Sequence, residues 1–476
     1  MRSLLKHLLL LAALGLATWA VVLGTWYAQR RVVGLDDVLQ YLLVLPLLLF
    51  AGVLVLRKWP LDKTATPPAP SADGKAAADT ADAVPSAGTG ADAALPLLAA
   101  WVHTPAGADV STLLAALAEG QPRPRPDPLL RDQDGLPMLT ARIAALDLAA
   151  VQADWPAQDA PPPSPAALRA LAALSPLLDQ AAQALADASP SDMTGPAPTL
   201  HVLAHWPAEW SEAQAQAAQT WLAQRLSTLA PAGLAGAADL RPLRGGGALL
   251  EQAQTRLTAL RRAGRDARLL LLACHSDLDD EALQRLEREG RLYALPLRPR
   301  GLMPGEAAAA LLLSTRADDA PAPPSDDATS ALAPVHLRAL RFQPCPPADH
   351  ARRPLDAAAP LQVLLDGALR ACGMDAAALA CLSTDADQHG DAATALYALA
   401  QSALPHLDPM DDLHLAGTCC GHTGAVAPLL ALAAAWGRCA VSGTPAAALS
   451  LTGDEYRMAA ILAPDASALS AQNRAA

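Results

Sequence analysis

Apolar residues fall into three regimes along this chain, and the points where the regime changes mark its organisation. From Leu4 to about Trp26 the sequence is apolar apart from Lys6 and His7 near its start, and a second run from about Leu39 to Leu56 carries no charge. Each is long enough to cross the hydrocarbon of a bilayer as a helix. Trp26, Tyr27 and Trp59 stand at the ends of these runs, where amphipathic rings suit the headgroup boundary. Pro46 interrupts the second run without forbidding it, since lipid-embedded helices tolerate proline. A cleaved signal peptide fits less well, because the first run is too long, lacks a small-residue cleavage site and is followed at once by a second span. The pattern predicts a two-helix transmembrane anchor over residues 1–60.

Basic residues are retained on the cytoplasmic side of a bilayer, so their positions predict orientation. Arg2 and Lys6 precede the first run and Arg57, Lys58 and Lys63 follow the second, whereas the loop between them sets Arg30 and Arg31 beside Asp36 and Asp37. The expected arrangement has both ends inside, a multi-pass anchor in an inner membrane and the rest of the chain in the cytoplasm.

Residues 61–95 form the second regime, dominated by Ala, Pro, Asp, Ser, Thr and Gly, and read as a linker. From residue 96 onward short apolar runs alternate with helical periodicity. Strands are expected over Leu97–His103, Pro198–Ala204, Arg268–Cys274, Ala307–Ser314 and Leu379–Ser383. Helices are expected over Val110–Glu119, Ala248–Ala263, Leu361–Cys372 and Ala392–Leu404. The Pro-rich stretches at Pro122–Pro128, Pro161–Pro165 and Pro321–Pro324 read as loops within one domain. Strands alternating with helices predict an α/β layered architecture.

Composition sharpens this picture in three ways. Hydrophobic residues make up 52% of the chain but aromatics only 3%, so the core has to be built mainly from Ala, Leu and Val. A formal net charge of -12 and the lack of a clustered basic run argue against a nucleic-acid partner. The 7 cysteines (Cys274, Cys345, Cys372, Cys381, Cys419, Cys420 and Cys439) are odd in number and free of CxxC spacing. They read as reduced thiols and not as a disulfide frame or a zinc site, and no metal or cofactor is expected.

The order of these segments resembles a thiolase-fold condensing enzyme of the β-ketoacyl synthase type. "AAWVHTPAGADVSTLLAALAEG" is similar to the first strand, turn and helix of that family, and "LLRDQDGLPMLTAR" to the loop that follows. The stretch "GGGALLEQAQTRLTALRRAGRDARLLLLACHSDLDDEALQRLEREGRL" resembles the nucleophile helix, the next strand and a structural turn at Asp277. "RPRGLMPGEAAAALLLS" looks like the Pro-Gly-Glu segment entering the last strand of the first half. "LQVLLDGALRACGMD" and "HLAGTCCGHTGAVAPLLALAAAW" are similar to a helix and the Gly-His-Thr-Gly loop of the second half, with "AVSGTPAA" and "YRMAAILAP" as the last strands. The resemblance implies a layered αβαβα domain of two similar halves, 96–330 and 331–465, followed by a disordered tail over 466–476.

It also implies where catalysis would sit. A condensing enzyme attacks with a thiolate at a helix N-terminus and uses two imidazoles, or an imidazole and an amide, to stabilise the enolate. The resemblance puts the nucleophile at Gly247 or a neighbour within "RGGGA", where there is no thiol or hydroxyl, so the site is expected to be vestigial. The first family histidine is replaced by Asp385, with His389 a few residues on, and both read better as satisfied loop polar groups than as catalysts; the second corresponds to His422, which the Gly421 and Gly424 turn would place between layers with or without chemistry there. Cys419 and Cys420 are weak candidates for a displaced nucleophile and read better as packed thiols. Cys274 and His275 are neighbours in a strand and point to opposite faces, which disfavours a working pair.

Three functional classes follow. In the leading one the chain is a pseudoenzyme that serves as an adapter or assembly factor. Membrane-tethered proteins of this kind resemble the adapters of type VI secretion systems that help load lipase effectors, which implies a secretion component or effector as protein partner. In the second, it is an acyltransferase acting on acyl carrier protein or coenzyme A thioesters. In the third, it is a non-catalytic partner subunit in a heterodimer with an active condensing enzyme; among partners, a homodimer is the other expectation.

Overall fold

All ten residues of the segment Ala267–Ser276 are buried, and so are all nine of Glu306–Ser314. Strands buried on both faces need a covering layer on each side, and the rest of the fold supplies those layers. The computed structural model describes residues 94–132, 135–156, 161–187, 198–229, 239–244, 248–294, 298–299, 301–316, 333–345, 358–387, 390–452 and 456–464. The two expected transmembrane helices, most of the linker, the tail, Gly247 and His389 lie outside the described residues.

The first half runs β1 (Leu95–His103), α1 (Val110–Glu119), a β2–β3 hairpin (Arg125–Arg131 and Pro137–Thr140), α2 (Leu148–Ala153) and α3 (Pro165–Asp187). It continues through β4 (Thr199–Trp206), α4 (Glu212–Leu229), β5 (Asp239–Arg244), α5 (Ala248–Arg262), β6 (Ala267–Ser276), α6 (Asp280–Arg288) and β7 (Glu306–Ser314). The second half runs β8 (Val335–Pro344), α7 (Ala358–Cys372), β9 (Cys381–Thr384), α8 (Asp391–Ala403), β10 (Leu413–Leu415), α9 (Gly417–Cys420), α10 (Ala427–Ser442), β11 (Ala446–Ser450) and β12 (Tyr456–Pro464).

Strand order exposes a duplication. The ten-stranded sheet reads β10-β9-β11-β12-β8-β1-β7-β6-β4-β5. In the first half β4 pairs in parallel with β5 and β6, and β7 joins β6 to β1 antiparallel. The second half repeats this with β9, β10, β11, β12 and β8. The two five-stranded units meet where Leu95, Pro96 and Leu97 of β1 pair antiparallel with Leu337, His336 and Val335 of β8.

Three apolar cores define five layers. One outer core sets α3 and α4 against β4, β6 and β7 of the first half and holds the large rings Trp206, Trp210 and Trp221. The other outer core sets α7 and α8 against β9, β11 and β12 of the second. Between the two units lies the third core, to which both α5 and α10 contribute. Helix α10 touches β9, β11 and β12 on one side and β1 and β7 on the other. A helix apolar all round belongs in such an interior. Among the described residues, Gly424–Ser442 is the one helix long and apolar enough to cross a membrane, and it is this buried middle-layer helix.

Two local outcomes depart from the sequence reading. The segment "AVSGTPAA" was expected as a strand, but α10 runs through Ser442, Gly443 closes it at φ +64°, and the strand is Ala446–Ser450. Behind Pro161–Pro165 stands the long helix α3, which starts on Pro165, where proline costs no hydrogen bond. Asp279 caps two helices at once, its Oδ2 accepting the Ala166 N–H of α3 and its Oδ1 the Ala282 N–H of α6.

Candidate functional site

Alternation along β6 sorts its last residues into opposite environments. Cys274 packs into the outer core, where burial pushes its thiol far above the usual range, while His275 points the other way. Ser276 donates to Glu306 Oε2 at 3.1 Å, and Asp277 anchors its N–H on Gly305 O at 3.0 Å. Glu306 is itself fully buried and paired with Arg169. The strand end is thereby fixed before any functional group is considered.

His422 reaches the same place from the second half. Its N–H donates to Met303 O at 2.7 Å, which lays the Gly-His-Thr-Gly loop along the Pro-Gly-Glu segment. Gly424, at φ +50°, lies so close to His275 that a Cβ there would sit 2.5 Å from His275 Nδ1. Only glycine allows the loop and the imidazole to share this space.

The result is a carboxylate between two imidazoles. His422 Nδ1 lies 2.6 Å and His275 Nε2 3.1 Å from Asp277 Oδ2, and the two rings meet edge-on with centroids 5.4 Å apart. Arg285 Nη2 donates to Asp277 Oδ1 at 2.9 Å, and its Nη1 lies 3.6 Å from Glu209 Oε1. Asp277 is fully buried and His275 nearly so, while His422 keeps 14% of its side chain exposed. Burial alone would raise the Asp277 carboxyl, but the nearby charges of His275 and His422 and the His422 hydrogen bond outweigh it and hold the group far below the usual carboxylate range. Burial would lower His275, and the Asp277 charge reverses the direction, so this imidazole binds its proton more tightly than usual. His275 Nε2, although near Oδ2, falls outside hydrogen-bonding geometry and has no such partner among the described residues.

This cluster borders a cleft of about 250 Å³ between the halves. Leu249 and Leu250 from the first turn of α5 line it, together with His275, His422, Phe342 and Met458. With Nδ1 of His422 engaged by Asp277, its Nε2 is the nitrogen left for a ligand, the arrangement used in general acid–base work. The three side chains also form a set of metal donors, although neither cofactor nor metal was expected from the sequence.

Other sequence candidates go elsewhere. Asp385 does not line the cleft. Its buried carboxylate accepts Ser450 Oγ at 2.6 Å, the Leu451 N–H at 2.7 Å and Thr452 Oγ1 at 2.9 Å. It ties the end of β9 to the end of β11, and burial raises its pKa. Cys419 and Cys420 are buried, with thiols pushed up by burial, and Cys419 Sγ lies 3.8 Å from Ala116 O. Asp277 lies in the connection between β6 and α6, where a structural turn was expected, and it is also the hub of the cluster, to which His275 belongs. The signal available in the sequence was a His-x-Asp spacing at a strand exit.

No family model matches the sequence, and no curated protein matches it either. Solved structures do match the fold. The oxazolomycin ketosynthase domain of Streptomyces albus JA3453 is 15% identical with a TM-score of 0.52, over 78% of this chain and 75% of that one. The ketosynthase from module 6 of the bacillaene synthase of Bacillus subtilis 168 is 15% identical with a TM-score of 0.51, over 79% and 72%. The ketosynthase from module 1 of the bacillaene synthase of Bacillus amyloliquefaciens is 14% identical with a TM-score of 0.50, over 79% and 74%. The described domain therefore has a thiolase-like, ketosynthase-type fold, built on a large mixed sheet.

Proposed function

We propose that the chain is a non-catalytic member of this fold, tethered to the inner membrane by its N-terminal apolar runs and serving as an adapter. In this reading the domain holds a protein partner at the cytoplasmic surface, a component or effector of a type VI secretion system. The observation that carries the non-catalytic part is the state of the thiols. Cys419 and Cys420, the residues nearest the histidine loop, are buried and held protonated, and a thiol in that state is a poor nucleophile. The sequence supplies glycine where the family places its nucleophile.

A second reading, acyl-thioester transfer, is favoured by one observation: His422, paired with Asp277, still borders a cleft in which Leu249, Leu250, Phe342 and Met458 stand beside charged residues such as Glu209 and Arg291. Incubation with acyl-coenzyme A and acyl carrier protein thioesters, followed by intact-mass measurement, separates the two. The adapter reading expects no covalent adduct. An acyl adduct lost in Cys419→Ser or Cys420→Ser overturns it. Capture of the full-length chain from cells expressing a type VI secretion system is expected to recover a secretion component or effector, and recovery of neither counts against the partner assignment.

A further inference from the structure

We propose that His275, Asp277 and His422 bind one divalent transition-metal ion, with zinc the ion their donor atoms suit best. The three ligand atoms lie within 4.8 Å of one another. Two imidazole nitrogens and one carboxylate oxygen form the three-protein-ligand set of zinc sites that keep a fourth position open. Magnesium and calcium, by contrast, select oxygen donors.

Four features of the cluster point to an ion and not merely to a hydrogen-bonded triad. His275 is nearly fully buried, yet its Nε2 has no hydrogen-bond partner among the described residues and lies 3.1 Å from Asp277 Oδ2. A metal supplies what that nitrogen lacks. Arg285 holds Oδ1 of Asp277 and leaves Oδ2 for the ion, the role of an outer-shell partner that orients a ligand, and Glu209 near Arg285 offsets the guanidinium charge. The third feature is the cleft, which reaches both His275 and His422 and has room for a water or a ligand oxygen as the fourth donor. The last is Gly424, which leaves the space that seats the His275 ring against the loop carrying His422.

Binding at zinc–ligand distances spaces tetrahedral donor atoms roughly 3.3 Å apart. The 2.6 Å contact between His422 Nδ1 and Asp277 Oδ2 therefore opens by some tenths of an ångström. The proton held in that contact leaves, together with any proton on His275 Nε2, so the ion enters as protons are released. Because His275 and Asp277 come from the first half and His422 from the second, the ion cross-links the two halves. The inference does not depend on the adapter reading.

The test uses the full-length protein stripped with a chelator, then titrated with zinc by calorimetry and with cobalt(II) by absorption. One ion per chain is expected, with proton release that shows as a buffer-dependent heat. His275→Gln and His422→Gln, chosen to keep side-chain volume, are each expected to weaken binding by about 100-fold or more, and Arg285→Ala by about 10-fold. Absence of saturable binding in the wild-type protein overturns the proposal. So does binding left unchanged in both histidine variants, or a sulfur-to-cobalt charge-transfer band, which would assign the ion to the cysteines. None of these outcomes alters the acyl-adduct result.

Discussion

The two halves of the domain repeat one strand topology, and each buries a carboxylate just beyond the end of a strand, with opposite electrostatic results. Asp277 follows β6 and faces two imidazoles and a guanidinium, and its pKa falls. Asp385 follows β9 and faces two hydroxyls and a backbone N–H, and its pKa rises. Both are fully buried, so burial does not distinguish them. Cationic partners keep a buried carboxylate ionised, whereas neutral donors offset only part of the cost of dehydrating it. The two carboxylates follow strands that are not counterparts in the repeat, β6 and β9, and their partners decide the chemistry: one half carries a charged cluster beside a cleft, and the other carries a structural clamp.

The largest expected effect breaks this comparison directly. Asp277→Asn removes the charge that balances His275 and Arg285 and is expected to cost about 3–5 kcal/mol in urea unfolding. Asp385→Asn keeps an acceptor for the same donors and is expected to change stability by less than about 1 kcal/mol. Equal losses in the two variants would mean that the halves do not differ as described. Gly424→Ala comes next. Its methyl meets the His275 ring in a backbone conformation unfavourable to side chains, and a loss of about 1–3 kcal/mol is expected from thermal unfolding, offset if His275 is also made small. Thr452→Val, which deletes one neutral donor to Asp385, is expected to cost about 1 kcal/mol.

Acidity sharpens the same contrast. An unfolded aspartate titrates near about 3.9. Asp277 is depressed below that value in the fold, so its contribution is present above about pH 4 and is lost as pH falls toward the folded value. Asp385 is raised, so its contribution is present below about pH 4 and is lost as pH rises through its folded value. Stability measured against pH is expected to fall less steeply on the acid side in Asp277→Asn, with the share of Asp127 and Asp109 remaining. In Asp385→Asn, relative stability is expected to improve from pH 4 toward neutrality. The reverse assignment of slopes would refute the electrostatic difference.

Much of the architecture was legible because local periodicity carries it. The helix over Val110–Glu119 is where its apolar spacing puts it, and β4, β6 and β7 coincide closely with their apolar runs. Legibility failed where alanine removes contrast between faces. The strand at Ala446–Ser450 follows an Ala-rich helix, and only Gly443 separates them. The long helix α3 hid behind a Pro-rich approach. Of the candidate site, His422 was readable from its glycine-flanked loop. Asp277 was readable only as a turn, because its partner His422 is 145 residues away along the chain. A side chain's role at a layer boundary depends on contacts that no local window contains. For Asp385 the reading as a satisfied loop polar group left its partners unnamed, because a polar residue after a strand looks the same whether it enters a cleft or ties two strand ends together.

The seam between β1 and β8 also governs the order in which this protein can be made. While the ribosome has delivered only the first half, the Leu95–Leu97 flank waits for a strand still to be translated, and Leu311 and Leu313 lack the later helix that closes the middle layer. A nascent chain stopped before Val335 therefore presents a greasy, unpaired margin to solvent. Closure of the seam depends on Val335, His336 and Leu337, translated after the whole first half, returning to β1.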